Sequence, residues 1–195
     1  MAFNDSLASM RKIGRNAVLP VDRIKAICRE ALANKNIKTV LDFGSGTLFW
    51  TNWFVQEFKA KVYAVDTYYN NATMPKNDNI TYYSNLSTCL SENKEISFVW
   101  ACDVLHHLSP SDMDNFLKEI CDKADIVIIK DIDATHSFGN FMNKMHDKII
   151  NGETIYDICP DGIKNLLKAN GFKSSYYFVP KMWYPHFVLV GVRER

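Results

Sequence analysis

Short apolar runs alternate with longer segments of helical periodicity along most of the chain. Runs of β-branched and aromatic residues predict strands, whereas apolar residues spaced three or four positions apart predict helices. Strands separated by helices are typical of one α/β domain with a mostly parallel sheet. The predicted strands lie around residues 40–41 and at residues 61–65, 80–83, 96–101, 124–130, 172–179 and 186–192.

The segments between these strands have the spacing of amphipathic helices. Residues 4–36 are expected to form two helices that break near Pro20, within an N-terminal helical segment of residues 1–36. Residues 10–16, which carry three basic side chains, are a candidate lid over a bound ligand. The strand at 124–130 is continuously apolar, so we expect it to be central and buried on both faces. Further helices are predicted at 48–58, 110–123, 136–151 and 161–169.

The first strand runs into an acidic, glycine-containing turn, Asp42-Phe43-Gly44-Ser45-Gly46. Glycines allow positive φ, and the helix that follows offers unpaired N–H groups, so the turn predicts a cofactor site. Phe49 stands where the dinucleotide fingerprint has its third glycine, and no Gly-Lys-Ser/Thr of a P-loop follows. An acidic turn suits a ligand with a cationic end, such as an amino acid or a sulfonium.

A second carboxylate ends the second strand, at Asp66, 20 residues past Gly46. Parallel strands joined by a helix bring their carboxyl ends to the same edge of the sheet, which places Asp66 beside the glycine turn. A carboxylate there accepts hydrogen bonds from ribose hydroxyls. Because NAD enzymes and methyltransferases share this feature, Asp66 predicts a nucleoside ligand without choosing between them.

Composition restricts the partners. The 195 residues include 23 basic and 22 acidic side chains, so the net charge gives no footprint for nucleic acid or an anionic membrane surface. No run of 18 apolar residues or signal pattern is present. The five cysteines have no C-x-x-C spacing, so we expect neither a zinc site nor a disulfide framework, and no metal. Reduced thiols indicate a cytoplasmic protein.

The fourth strand runs into Cys102-Asp103-Val104-Leu105-His106-His107-Leu108. With the glycine turn and Asp66, this motif resembles the class I S-adenosylmethionine-dependent methyltransferases that act on small molecules. The resemblance extends from Thr39 to the C-terminus. It implies a seven-stranded, mostly parallel sheet in the order 3-2-1-4-5-7-6, with strand 7 antiparallel and helices on both faces. It also implies that residues 134–157 form part of a substrate lid.

The resemblance implies a set of cofactor residues for S-adenosylmethionine and its product S-adenosylhomocysteine. Asp42 would lie near the amino group of the cofactor, and the glycines would let its methionine part approach. Asp66 would bind the ribose, and Asn85 or Cys102 would flank the adenine. The full set of cofactor candidates is Asp42, Phe43, Gly44, Ser45, Gly46, Asp66, Thr67, Asn85 and Cys102.

Methyl transfer aligns an acceptor atom with an already activated carbon, and a hydroxyl or amine acceptor must also lose a proton. A histidine or a carboxylate suits that task. We therefore expect His106, with Asp103 or Asp131, to serve an oxygen or nitrogen acceptor, and we expect His106 rather than His107 to face the cleft. The substrate candidates at the same edge are Lys130, His136, Trp183 and Tyr184.

The predicted partner is a small-molecule or saccharide acceptor, and two alternatives stay open. RNA 2′-O-methyltransferases keep an aspartate and a lysine at the strand ends where Asp103 and Lys130 stand, and Lys12 with Glu194 could complete a tetrad. Against RNA, the helices show no basic stripe. The other alternative is a nicotinamide oxidoreductase or a cofactor-binding module without catalysis. The oligomeric state is left open, and no membrane partner is expected.

Overall fold

The computed structural model describes residues 19–69, 74–146, 148 and 155–194. The predicted lid at residues 10–16 lies outside this range. In chain order the elements are α1 (Val21–Leu32), β1 (Thr39–Phe43), α2 (Phe49–Phe58), β2 (Lys61–Val65), β3 (Ile80–Tyr83), α3 (Leu86–Glu92), β4 (Phe98–Cys102), a 3₁₀ turn (Leu105–His107), α4 (Pro110–Cys121), β5 (Ile126–Ile132), α5 (Ser137–His146), α6 (Pro160–Ala169), β6 (Phe172–Phe178) and β7 (His186–Arg193).

One seven-stranded sheet organises the molecule, in the order β3-β2-β1-β4-β5-β7-β6. Strands β1 to β5 pair in parallel, and β7 is antiparallel to both β5 and β6. The predicted strand order and the reversed strand 7 are confirmed. Because β7 alone is reversed, β6 runs parallel to β5, and the loop that joins β6 to β7 lies at the carboxyl edge of the sheet.

Strand β5 lies two residues farther along the chain than predicted, at Ile126–Ile132 instead of 124–130. Its seven residues are all buried, as its unbroken apolar run predicted, but the strand continues past Lys130 to Ile132. The extension is held by the antiparallel neighbour, since Asp131 pairs with Phe187 and Ile132 pairs with His186. Two charged residues, which the sequence indicated as the end of the strand, therefore lie inside it.

The sheet is covered on both faces by helices. One core packs α4 and α6 onto one face of the sheet, and the other packs α1 and α2 onto the opposite face. The second core contains an aromatic group in which Trp50 and Phe54 contact Trp100, with ring centroids 5.0 Å and 5.6 Å apart. The aromatic residues of the predicted helix at 48–58 are therefore core residues. None of the described helices is long and apolar enough to cross a membrane.

Helix starts follow the capping chemistry of the sequence. Ser109 accepts a hydrogen bond from the backbone N–H of Asp112, and Pro110 occupies the first turn of α4, as predicted. Asn85 caps α3 in the same way, through the N–H of Thr88. Both caps stand at the carboxyl edge of the sheet, directly after the loops that leave β3 and β4.

Candidate active site

A cleft of about 690 Å³ opens at the carboxyl edge, where β1, β2, β3 and β4 end. This is where open α/β sheets bind ligands, because the chain leaves neighbouring strands in opposite directions. Five of the predicted cofactor residues line it, namely Phe43, Gly44, Asp66, Thr67 and Asn85.

The glycine turn is tied to the end of β2. The backbone N–H groups of Gly44 and Ser45 both donate to the carbonyl of Val65, at 2.9 Å and 3.2 Å. The hydroxyl of Ser45 reaches the same carbonyl and the hydroxyl of Tyr69, at 3.2 Å and 2.7 Å. Because Ser45 is buried and its hydroxyl makes both contacts, it holds the glycine turn against the end of β2.

The two glycines of the turn are needed for different reasons. Gly44 has φ +71°, and a Cβ there would lie 2.5 Å from Cγ2 of Val104. A Cβ on Gly46 would meet only the carbonyl oxygen of Gly44, at 3.9 Å. Close approach of a ligand is thus available at Gly46, whereas the space beside Gly44 is filled by Val104 from the motif after β4.

Asp66 is held by the turn that it faces. Its Oδ2 accepts from the N–H of Gly46 at 2.9 Å, and its Oδ1 accepts from the N–H of Tyr68 at 3.1 Å. Each carboxylate oxygen can accept more than one hydrogen bond. The carboxylate is therefore oriented on the cleft wall with acceptor capacity left for ribose hydroxyls.

Asp42 lies behind the turn rather than on the cleft wall. Only 1% of the residue is exposed, and its Oδ2 accepts from the hydroxyl of Thr51 in α2 at 2.5 Å. Burial raises the pKa of Asp42 to about 7, although the hydrogen bond from Thr51 opposes this shift. In this position Asp42 joins β1 to α2, which differs from the expected contact with the cofactor amino group.

The two adenine candidates occupy different places. Asn85 lines the cleft while it caps α3. Cys102 is outside the described lining of the cleft, with its Sγ 3.7 Å from Oδ2 of Asp103. Burial raises the pKa of the Cys102 thiol well above its usual value. Of the pair, Asn85 is the residue that can meet a ligand in the cleft.

Asp103 stands at the far wall of the cleft and is paired with a buried lysine. In the register between β4 and β5, Cys102 lies opposite Lys130. Asp103 is the next residue after Cys102 and therefore lies close to Lys130. Nζ of Lys130, which is fully buried, donates to Oδ1 of Asp103 at 2.5 Å. A buried ammonium group needs such a partner because of its desolvation cost. Lys130 therefore holds Asp103 and cannot itself reach a substrate at the surface.

Asp131 supports the 3₁₀ turn from beneath. Its oxygens accept from the N–H groups of Leu105 and Ile132, at 3.1 Å and 2.8 Å, and its Oδ1 lies 2.6 Å from Nδ1 of His106. Asp131 and His106 are both buried. This arrangement fixes the orientation of the imidazole, as a carboxylate commonly does for a histidine.

The expected orientation of the two histidines is reversed. His106 is 5% exposed and turns toward β5, whereas His107 is exposed and lines the cleft. The bonds that Leu105 and His106 make to the carboxylate of Asp131 hold the start of the 3₁₀ turn against the strand, which leaves His107 on the outer side. The two rings remain adjacent, with centroids 4.2 Å apart.

His186, the first residue of β7, is not among the candidates predicted from the sequence. It is buried, lies opposite Ile132, and stacks on Tyr184 with ring centroids 5.7 Å apart. Burial alone would raise the pKa of Asp103, but the charges of Lys130, His186 and His106 outweigh it and lower that pKa. A polar residue at the head of the otherwise apolar strand 186–190 is the signal that could have identified it.

The same cluster has donor atoms within reach of a cation, although the sequence analysis expected no metal. One donor atom from each of Asp103, His106 and Asp131 lies within 4.8 Å of the other two. However, Asp103 already accepts a hydrogen bond from Lys130, and Asp131 already bonds two backbone N–H groups and His106. Among the described residues this bonding favours a proton-carrying network over a metal centre.

The substrate candidates fall into two groups. His136, Trp183 and Tyr184 line a second groove of about 430 Å³ at the same edge of the sheet, formed by α5 and the loop between β6 and β7. Lys130 is buried in β5. Glu194 lies beyond the other end of β7, about 26 Å from His186 at about 3.3 Å per residue. The tetrad suggested for RNA is therefore not assembled by Glu194, and Lys12 lies outside the described residues.

Comparison with known families decides the class. The sequence model of a methyltransferase domain matches residues 19–175, which is most of the chain. The chain belongs to this methyltransferase family. The resemblance noted from the three motifs is thereby confirmed, and S-adenosylmethionine is the cofactor. No curated protein sequence matches the chain significantly.

Solved methyltransferases share the fold at low sequence identity. An S-adenosylmethionine-dependent methyltransferase from Archaeoglobus fulgidus has a TM-score of 0.68 and 15% identity, over 88% of this chain and 94% of that one. Magnesium protoporphyrin IX methyltransferase from Synechocystis, with bound S-adenosylhomocysteine, gives 0.67 and 20%, over 89% and 82%. The 1,6-didemethyltoxoflavin-N1-methyltransferase from Burkholderia thailandensis, with bound 1,6-didemethyltoxoflavin and S-adenosylhomocysteine, has a TM-score of 0.69 and 16% identity, over 100% of this chain and 86% of that one.

Proposed function

We propose that this methyltransferase transfers a methyl group to an oxygen or nitrogen atom of a small-molecule acceptor at the Asp103 wall of the cleft. One observation carries the proposal. The cleft beside the glycine turn and Asp66 ends at Asp103, and Asp103 belongs to a cluster of acidic and basic side chains with His106 and Asp131. A nucleoside site and a proton-accepting site therefore share one cavity.

The cleft residues fit the cofactor. Asp66 retains acceptor capacity for the ribose, Gly46 leaves room at the backbone, and Thr67 and Asn85 supply polar groups farther along the wall. A volume of about 690 Å³ is in the range of cofactor sites. When bound, S-adenosylmethionine supplies an activated methyl group on a sulfonium, so the protein has mainly to align the acceptor and remove its proton.

We assign the removal of the proton to the cluster behind Asp103. The lowered pKa of Asp103 keeps this carboxylate ionised near neutral pH, where it can accept a hydrogen bond from an acceptor hydroxyl or amine and orient it. The carboxylate of Asp131 accepts the Nδ1 proton of His106, which selects the tautomer with a basic Nε2. His106 is buried behind the cleft wall, with a donor atom within 4.8 Å of one on Asp103, so we assign it the role of the base that takes the proton of an acceptor held at Asp103, with Asp131 as its positioning residue.

Label transfer from radioactive S-adenosylmethionine to a cell extract tests this assignment. We expect His106→Ala and Asp131→Asn to lower label incorporation about 100-fold, in the range for loss of a general base. Calorimetry should show binding of S-adenosylhomocysteine within about threefold of the wild type, since neither residue lines the cofactor cleft. Asp161→Asn, which removes an exposed ion pair with Lys164, is the matched control and should retain activity. Full turnover in both cluster variants would disprove the base assignment.

RNA is the second candidate acceptor, supported by the contact between Lys130 and Asp103. The nearly balanced charge of the chain argues against it. The same labelling experiment separates the two classes, because the labelled extract can be divided into an RNA fraction and a small-molecule fraction. We expect the label in the small-molecule fraction.

A further inference from the structure

A groove at the active edge is lined by large apolar side chains that face solvent. It lies between the start of α5, the end of β6 and the turn of residues 180–185, and we call it the aromatic groove. Phe138 is 70% exposed, Met182 59% and Trp183 42%. Clustered exposure of this kind on a folded protein marks a binding surface.

The turn at 181–184 is built to present two of these side chains. Backbone hydrogen bonds of 3.1 Å run in both directions between Lys181 and Tyr184, and leave Met182 and Trp183 at the tip. Met182 has φ +55°, a conformation that favours glycine or asparagine in such turns. The local folding requirement therefore does not explain why large apolar residues stand there.

The helix and the turn are in direct contact because of a glycine. A Cβ on Gly139 would lie 2.4 Å from Cδ of Pro185 and 2.5 Å from the carbonyl oxygen of Trp183. The N–H of Asp133 also donates to the carbonyl of Pro185 at 2.9 Å. Because Gly139 has no side chain, α5 packs closely onto Pro185 and the backbone of Trp183, and Phe138 and Trp183 line the same groove.

The groove has a flat wall. His136 stacks on Phe178 with ring centroids 4.7 Å apart and an interplanar angle of 15°. Its lining includes few polar side chains, those of His136, Ser137 and Tyr184. A saccharide would need polar partners for several hydroxyls, whereas an aromatic ring needs apolar faces against which to stack.

The groove adjoins the proposed site of methyl transfer. The ring of Tyr184, which lines the groove, stacks on His186 at an interplanar angle of 19°. His186 lies opposite Ile132 in the sheet, the residue that follows Asp131 in β5. An acceptor that occupies the groove therefore approaches the cluster that orients its reactive atom.

We propose that the aromatic groove holds the planar aromatic body of the acceptor. This inference rests on the proposed function and narrows its substrate class to flat, ring-containing hydroxyl or amine compounds. A volume of about 430 Å³ lies in the range of small-molecule pockets. Met182 and Trp183 contact the ring, and Gly139 is required for the shape of the groove.

Binding of 2-naphthol to the protein saturated with S-adenosylhomocysteine tests the inference by calorimetry, with methyl glucoside as the saccharide probe. We expect wild-type protein to bind 2-naphthol, and Trp183→Ala and Met182→Gly each to weaken that binding at least tenfold. Phe141→Ala is the matched control, because Phe141 is an exposed ring of α5 outside the lining of the groove, and it should bind as the wild type does.

The outcomes separate this inference from the proposed function. Absent binding of 2-naphthol, equal binding by all variants, or methyl glucoside binding that depends on Trp183 would each overturn the aromatic assignment. Binding of S-adenosylhomocysteine would remain in all three cases. Loss of S-adenosylhomocysteine binding in the wild type would instead contradict the proposed function. Trp183 also gives an optical reading, since Trp50, Trp53 and Trp100 are buried, and 2-naphthol should protect its fluorescence from acrylamide quenching.

Discussion

At the scale of single residues, the structure separates side chains that face the ligand from side chains that hold them. Asp66 and Asp42 both follow apolar strand residues in the sequence, but only Asp66 reaches the cleft. Asp42 is enclosed between β1 and α2 with Thr51 as its partner. Sequence position alone could not distinguish them, because the direction of a side chain at a strand end depends on the turn that follows.

The burial of Asp42 has a consequence for stability. Its pKa is raised to about 7 in the folded protein, whereas an unfolded aspartate has a pKa of about 3.9. Between these values the folded state holds a proton that the unfolded state has released, so stability falls as pH rises, by at most about 1.4 kcal/mol per pH unit. We expect Asp42→Asn to remove this slope and to be the more stable form at pH 8.

Urea unfolding of both proteins between about pH 4.5 and about pH 9.5 measures this difference. The free energy of unfolding should decline with pH more steeply in the wild type than in Asp42→Asn. The slopes of the two proteins should agree above about pH 8, where Asp42 is ionised in both states. Parallel curves over the whole range would show that Asp42 is already ionised when folded.

At the scale of elements, the turn after β1 and the motif after β4 form one packed unit. The Cβ that Gly44 lacks would overlap Val104, so each segment requires the shape of the other. The sequence identified both motifs and their shared edge, since strand ends in parallel sheets are predictable. It could not show that they touch, because such a contact depends on the paired geometry of β1 and β4.

This contact predicts a specific rescue. Gly44→Ala should destabilise the protein by about 3 kcal/mol, because it adds a steric overlap to a positive φ that costs about 1 kcal/mol by itself. Combining it with Val104→Gly removes the overlapping methyl groups and the Cβ of Val104, which would lie 2.7 Å away, so the double variant should lose less than the sum of the two single variants. Denaturant unfolding of the three variants measures the coupling. Strict additivity would mean that the two segments do not contact each other.

Strand β5 shows where element prediction failed and why. Its apolar run predicts burial on both faces, which the structure confirms, but the charges of Lys130 and Asp131 predict the end of the strand. They are inside it because their charges are paired, Lys130 with Asp103 and Asp131 with His106. A local sequence pattern does not show ion pairs between residues of different strands and turns. The same reason explains why His186, which completes the cluster from β7, was missed.

At the scale of the whole molecule, the strand topology determines which residues meet at the carboxyl edge of the sheet. The strand order places the ends of β1, β2 and β4 side by side, and the reversed β7 returns His186 to that same edge. The cofactor motifs and the fold were predictable because they depend on strand ends and on their order. The aromatic groove was less predictable, because its shape depends on how Gly139 of α5 packs against Trp183 and Pro185, which lie more than 40 residues later in the chain.

A whole-molecule test follows from binding at this edge, because a ligand that binds only the folded state stabilises it. At 100 times its dissociation constant, S-adenosylhomocysteine should add about 2.7 kcal/mol, which for a chain of this length raises the melting temperature by about 5 to 10 °C. NAD at the same concentration should give no shift.

Asp66→Asn should lose most of the shift, because the amide replaces one of the two acceptor oxygens, both of which also receive N–H groups of the turn. Asp78→Asn, an exposed aspartate of the loop before β3, is the control and should keep the full shift. A shift with NAD, or an undiminished shift in Asp66→Asn, would mean that the cofactor nucleoside does not bind against Asp66 and the glycine turn.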